Sequence, residues 1–324
     1  MRIKRAMAII ALGLFGLVGT AWSAGMDAAA SAVCVECHDS EDLPDMSRSA
    51  HAVTTDPRTP TCVTCHGPSP THAKKPADAK ERPHPDRMFT KNAITPVSER
   101  NAACLTCHQK DAKRALWGGS QHETADLACS SCHKVHTNQD RALARTTQVE
   151  LCITCHKEQR TQMAKPSHHP IPEGKMSCTD CHNVHGSAGP KLVKRDSTND
   201  TCYTCHAEKR GPFVHSHEPV AEDCAICHNP HGSTVAAMLK SRPPMLCQQC
   251  HTPHVAGGVG AVGGQPGVFP PAAPGQLSSA ITGTTGGKNV VNIWQGRSCM
   301  NCHTQVHGSN NPSATNPTPG FLFR

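Results

Sequence analysis

The 324-residue chain carries 32 lysines and arginines against 25 acidic residues, a formal charge of +7, yet only one tyrosine, three tryptophans and six phenylalanines. It is long enough for two ordinary domains but lacks the side chains that build ordinary cores, so a self-sufficient hydrophobic interior is excluded. Twenty cysteines and 23 histidines stand in for that bulk, and their arrangement decides what the basic balance means.

Residues 1–23 read as a secretory signal peptide: Arg2, Lys4 and Arg5 form a basic start, Ala8 to Val18 an apolar run, and Ala21-Trp22-Ser23 a cleavage region. The run is shorter than the ~20 residues needed to span a bilayer, so cleavage and export are expected, with no later stretch able to enter lipid. The mature chain then repeats one five-residue pattern, C-x-x-C-H. In order the sites use Cys34, Cys37 and His38; Cys62, Cys65 and His66; Cys104, Cys107 and His108; Cys129, Cys132 and His133; and Cys152, Cys155 and His156. They continue with Cys178, Cys181 and His182; Cys202, Cys205 and His206; Cys224, Cys227 and His228; Cys247, Cys250 and His251; and Cys299, Cys302 and His303.

Successive sites begin 28, 42, 25, 23, 26, 24, 22, 23 and 52 residues apart, intervals mostly too short for independent domains. A continuous array is expected, each unit leaning on its neighbours as in a repeat protein. The proline-rich and charged linker between His66 and Cys104 is expected to be a surface loop, and residues 256–289, rich in glycine and proline, a flexible or extended one. Short helices are expected around Val149 to Glu158 and Val235 to Lys240, with no long amphipathic period and no alternating strand pattern. A division near residue 165 gives halves 24–165 and 166–324 with five sites each.

Two thiols three residues apart can each form a thioether to one haem vinyl group, placing the adjacent histidine beneath the iron. Zinc ribbons and disulfides also use paired cysteines, but neither explains a histidine after the second cysteine at all ten sites. Ten covalent c-type haems are therefore expected, supplying the missing core, and the chain should not fold without them. Because such haem is attached outside the cytoplasmic membrane, the expected compartment is the periplasm. Loss of the signal leaves +4; ten haems with ionised propionates bring the total to about −6 when ferric and about −16 when ferrous. Nucleic acid is excluded as a partner.

Thirteen histidines remain beyond the ten proximal ones. His136, His185, His231 and His254 lie three residues after a proximal histidine and His307 four after. Three residues reach at most ~11 Å, too little to pass around a porphyrin edge, so each must serve a different haem. His51 and His72 are candidates from the first linkers. His122, His169 and His217 recur seven to nine residues ahead of a haem cysteine and read as one template used three times. His84, His168 and His215 are surplus. Ten distal ligands close every iron, favouring electron transfer over substrate binding; the methionines follow no comparable spacing.

The strings Trp117 to His122, Asn199 to Pro212, Leu246 to His251 and Gly296 to Asn310 resemble the periplasmic decahaem cytochromes of outer-membrane porin–cytochrome conduits, the MtrA / DmsE type with its PioA and MtoA relatives. The resemblance runs from Cys34 to about Pro312. It implies a multihaem cytochrome c fold: an elongated haem wire with short α-helices, irregular loops and little or no β-sheet, its core dominated by cofactor, lodged partly inside a β-barrel porin. It also favours His169 and His217 over their neighbours as ligands. The chain departs from the family in its short segment before the first site and its long loop before the tenth.

The expected function is electron conduction between periplasm and cell exterior through that porin, for metal reduction or iron oxidation. The expected partners are the porin, an extracellular multihaem cytochrome or mineral, and periplasmic or inner-membrane quinol-linked cytochromes. A polar, irregular chain cannot face lipid and so needs such a sheath. The alternative is a soluble periplasmic shuttle or electron store feeding a separate reductase, such as one for dimethyl sulfoxide. An enzyme would need an open iron, and no variant motif or missing ligand marks one.

Overall fold

A computed structural model of the chain describes residues 31–38, 43–53, 55–250, 300 and 303–310. The expected signal peptide, the 256–289 loop, His251, His254, Cys299 and Cys302 lie outside them. Among the described residues the elements are short. The helix Val97–His108, at 12 residues, is the longest, and the one sheet pairs His215–Ser216 (β1) with Gly308–Ser309 (β2) in antiparallel register. Short helices, irregular loops and little β-sheet are the architecture the sequence leads one to expect.

Hydrophobic side chains build little of the interior. Ala128, Met163, Leu192 and Val193 are the buried apolar residues among those described, and no large side chain is fully enclosed. Buried polar groups outnumber them, and three of these tie one attachment site to the next. Asn101 donates to the Leu127 carbonyl at 3.1 Å and accepts from the Cys129 amide at 2.8 Å. Asn199 donates to the Val220 and Ala221 carbonyls and accepts from the Cys224 amide at 2.7 Å. Gln148 donates to the Ala142 carbonyl and accepts from the Thr179 amide and hydroxyl. An amide group supplies both a donor and acceptors, so one side chain can replace the backbone pairing that loops lack.

The chain divides into two compact units. One contains residues 1–110 and 126–141 and carries the sites beginning at Cys34, Cys62, Cys104 and Cys129; the other contains 111–125 and 142–324 with the remainder. Within the first unit, the linker after His66 runs largely exposed over the surface and is tied back to the second site. Pro70–Ala73 is helical, Asp86 accepts from the Ser69 amide at 2.8 Å, and the Arg87 amide donates to the His66 carbonyl at 3.0 Å. The proline-rich stretch is thereby held against the second site, where the Arg87 carbonyl also meets His66 Nδ1 at 3.0 Å.

Within the second unit, the helix expected over Val149 to Glu158 is two helices, Arg145–Cys152 and Lys157–Met163, since the chain leaves helical geometry around the second cysteine and histidine of the site. Val235 to Lys240 holds only the turn Ala236–Met238, with Ala237 at φ +57°. That left-handed step aims a carbonyl back at the eighth site.

Candidate functional site

Several attachment sites begin with a capped turn. Thr61 and Ser177 form capping boxes ahead of Cys62–His66 and Cys178–Cys181, and Asp223 caps Cys224–Ile226 through the Ala225 amide at 2.7 Å. One helical turn puts cysteines three apart on the same face. The histidine then leaves the turn: His133 and His182 are extended, with ψ +131° and +144°.

The rings meet in pairs, each joining a proximal histidine to one from elsewhere in the sequence. In the first unit His38 faces His72 at 6.0 Å between ring centroids, His108 faces His51 at 6.1 Å, and His66 faces His136 at 6.0 Å. In the second, His156 faces His122 at 6.0 Å, His206 faces His169 at 6.3 Å, His182 faces His231 at 6.1 Å, and His228 faces His307 at 6.1 Å. An alternation emerges. The second, sixth and eighth sites are met by the histidine that follows the site two further on. The third, fifth and seventh are met by a linker histidine lying ahead of the preceding site.

Ring orientation is set at Nδ1. The ring nitrogen of His122 meets the Val184 carbonyl at 2.8 Å, that of His169 the Pro230 carbonyl at 2.8 Å, and that of His217 the Val306 carbonyl at 2.9 Å. In all three the carbonyl belongs to the residue just before another distal candidate: His185, His231 or His307. The glycine after each of those, Gly186, Gly232 or Gly308, has φ of +115°, +142° or +135°. A Cβ there would strike the Leu116 carbonyl, the Gln162 carbonyl or the Phe213 ring respectively. The bridge Ser167 to Ser233 and the β1–β2 pair close this same device in its second and third uses. The proximal rings of His66, His182 and His228 likewise meet the Arg87, Lys191 and Ala237 carbonyls. A carbonyl can only accept, so each of these rings carries its hydrogen on Nδ1 and keeps the Nε2 lone pair as the one that could bind a metal.

Burial lowers the pKa of His136, His182, His231 and His307 below the ordinary imidazole value; neighbouring imidazoles add to the effect at all four, and at His307 the Lys209 charge adds more than either imidazole does. Neutral imidazole is the form that binds metal. Burial raises the Cys34, Cys65, Cys181 and Cys227 thiols, whereas hydrogen bonds from Cys152 and Cys202 bring Cys178 and Cys224 down to about 7. The first cysteines of consecutive sites thus lie side by side.

An imidazole nitrogen sits about 2.0–2.1 Å from a bound transition metal such as zinc, so two rings facing one ion have centroids about 6 Å apart. The observed pairs fit a metal held from two opposite sides. Among the described residues no three His, Cys, Asp or Glu side chains converge as a zinc site requires, and the cysteines are not disulfide-bonded. Two imidazoles with two thiols beside one of them fit covalent haem.

Of the other sequence candidates, His185 lies edge-on to Trp117 at 6.3 Å, and His303 is half-buried. His168 engages the Lys165 carbonyl at 2.5 Å and the Glu173 carboxylate at 3.0 Å, His84 is exposed, and His215 belongs to β1. Sequence reasoning missed Asn101, Gln148 and Asn199, although asparagine three residues before the first cysteine of the third and seventh sites was a readable signal. It also missed Asp140, which meets His133 Nδ1 at 2.6 Å.

The model of the doubled CXXCH motif family matches residues 168–211 and 217–256, and that of the NrfB-like c-type cytochromes matches 62–153. The multihaem cytochrome MtrA of Shewanella baltica is 43% identical over 86% of this chain and 78% of its own length. The cytochrome c-type protein NrfB of Escherichia coli is 31% identical over 40% of this chain and 67% of its own length, and that of Haemophilus influenzae 34% over 32% and 47%. Paired cysteines that hold haem covalently, imidazoles set in facing pairs and identity over most of the sequence agree: the chain belongs to the MtrA family of multihaem c-type cytochromes, proteins of electron transport.

Proposed function

We propose that the chain is a periplasmic decahaem conductor that carries electrons between the periplasm and the cell exterior inside an outer-membrane β-barrel porin. Its ten haems are bound at the ten C-x-x-C-H sites. Their distal ligands are His51, His72, His122, His136, His169, His185, His217, His231, His254 and His307. The observation that carries this reading is the set of seven imidazole pairs spaced 6.0–6.3 Å between centroids, each pair drawn from two separate stretches of sequence.

Bound haem supplies a one-electron iron couple. The protein's own residues do the rest. The cysteines would fix each group covalently, and the proximal and distal imidazoles would hold its iron between them, an arrangement that favours electron transfer over substrate chemistry. Because the distal residue of one site sits in the sequence beside another, every ligation also draws neighbouring sites together. The Nδ1 hydrogen bonds to carbonyls hold the rings while the charge on iron changes.

The features of the same chain are compatible with a porin partner. Among the described residues no helix is long and apolar enough to cross a membrane, and the exposed irregular backbone could cross hydrocarbon only within a protein sheath. The relation to MtrA supports such a partner. An extracellular multihaem cytochrome or mineral at one end, and quinol-linked cytochromes at the other, complete the route. The test is reconstitution with its barrel protein in liposomes that enclose a reduced dye. External oxidant should bleach the dye only when both proteins are present; an intact complex that leaves it reduced rules out the conduit.

A further inference from the structure

The fourth site is built differently from its relatives. At the sixth and eighth sites the chain returns after the proximal histidine in a tight backbone excursion. His182 meets the Lys191 carbonyl at 3.0 Å and His228 the Ala237 carbonyl at 2.8 Å, each nine residues on. The next carbonyls, of Leu192 and Met238, accept from the Asn183 and Asn229 amides, both at 2.8 Å. Left-handed backbone makes the turn possible, with φ +52° and +62° at Lys191 and Leu192 and +57° and +56° at Ala237 and Met238.

At the fourth site the return is shorter, and one side chain does the work of both carbonyls. Asp140, seven residues after His133, places Oδ2 2.6 Å from His133 Nδ1 and Oδ1 3.5 Å from the Lys134 amide. The carboxylate is well shielded, with 13% of its side-chain surface exposed. Its separation is shorter than those at the sixth and eighth sites, as expected for a charge-assisted bond. Where those sites offer a neutral carbonyl, this one offers a full negative charge.

We propose that Asp140 is a positioning residue for the fourth haem that lowers the reduction potential of that centre and so sets an energetic step within the electron path. The inference rests on the proposed ligation of iron by His133. A carboxylate that accepts the Nδ1 hydrogen makes the imidazole a stronger electron donor at Nε2, and its own charge lies close to the metal. Both effects stabilise the ferric over the ferrous state. In the step itself one electron enters the ferric centre from a neighbouring haem and leaves to the next, while the hydrogen stays between Nδ1 and Oδ2. No proton is exchanged and no co-reactant is needed.

The experiment compares the fully loaded protein with Asp140→Asn and Asp140→Glu by intact mass, electron paramagnetic resonance and potentiometric titration. Asparagine keeps an acceptor but loses the charge. It should move one midpoint upward by about tenfold in the ferric-to-ferrous ratio, roughly 59 mV for a one-electron couple, and change one low-spin ferric signal. Glutamate keeps the charge and should return that midpoint towards the wild-type value. A fully loaded, low-spin Asp140→Asn protein that titrates as the wild type does overturns the proposal. If Asp140→Asn fails to load, Asp140→Ser, which also removes the charge, takes its place: an upward shift of one midpoint supports the proposal, and a wild-type titration overturns it. Wild-type protein lacking haem at Cys129 and Cys132, or with a high-spin centre there, would instead defeat the ligation on which the inference rests.

Discussion

The imidazoles of His182 and His231 stack with centroids 6.1 Å apart and planes 19° from parallel, although one belongs to the sixth attachment site and the other follows the eighth. Removing His231 should therefore open a centre whose cysteines lie far from the mutation. In His231→Ala the haem count by mass should not change, while one low-spin centre becomes high-spin and binds an added ligand such as cyanide. A fully low-spin spectrum would show that His231 is not a ligand.

Neighbouring histidines in Ser167-His168-His169-Pro170 should behave in opposite ways. His169 faces His206 at 6.3 Å, whereas both ring nitrogens of His168 are engaged, by the Lys165 carbonyl and Glu173. We expect His169→Ala to yield one high-spin centre and His168→Ala to leave the electronic spectrum unchanged. The reverse result would exchange their roles.

Gly232 shows how the distal histidine is held. Its φ of +142° and the approach of the Gln162 carbonyl leave no room for a methyl group. Gly232→Ala should lower the thermal midpoint of the loaded protein and weaken ligation by the adjacent His231, visible as a partial high-spin fraction. The cost of crowding the packed turn is about 1–3 kcal/mol or more. An unchanged melting curve would mean that the turn relaxes freely.

The buried amides make a different prediction, one of stability without spectral change. Asn199→Ala strips partners from the Cys224 amide and from the Val220 and Ala221 carbonyls. Leaving such groups buried and unpaired costs about 1–3 kcal/mol, measurable as a lower denaturant midpoint of the haem-loaded protein. Asn101→Ala should do the same through the Cys129 amide and the Leu127 carbonyl.

Much of the site was legible because its chemistry is local. A thiol pair three residues apart followed by histidine is complete within five residues, so covalent attachment is legible from spacing, and in the structure His136 and His231, three residues beyond one proximal histidine, each face the proximal ring of another site. The recurrence of His122, His169 and His217 ahead of haem cysteines was likewise visible, and the structure gives each the same carbonyl partner type. Helix limits were less legible. The propensity of Val149 to Glu158 favours one helix, but the attachment turn interrupts it, and nothing in the composition of the surface linker after His66 announces its hydrogen bonds back to that site.

By itself, then, the sequence determined the inventory: which cysteines pair, which histidines lie beside them, and how little apolar material is available for a core. Only the tertiary structure decided the partnerships. Seven imidazole pairs, the carbonyls that orient their rings, the amides that tie one site to the next and the carboxylate behind His133 join residues whose partners the spacing alone does not name. Spacing fixes what a short segment can reach, but a contact closed by folding depends on where several loops return together, and that is set by the whole packed arrangement rather than by any stretch of it.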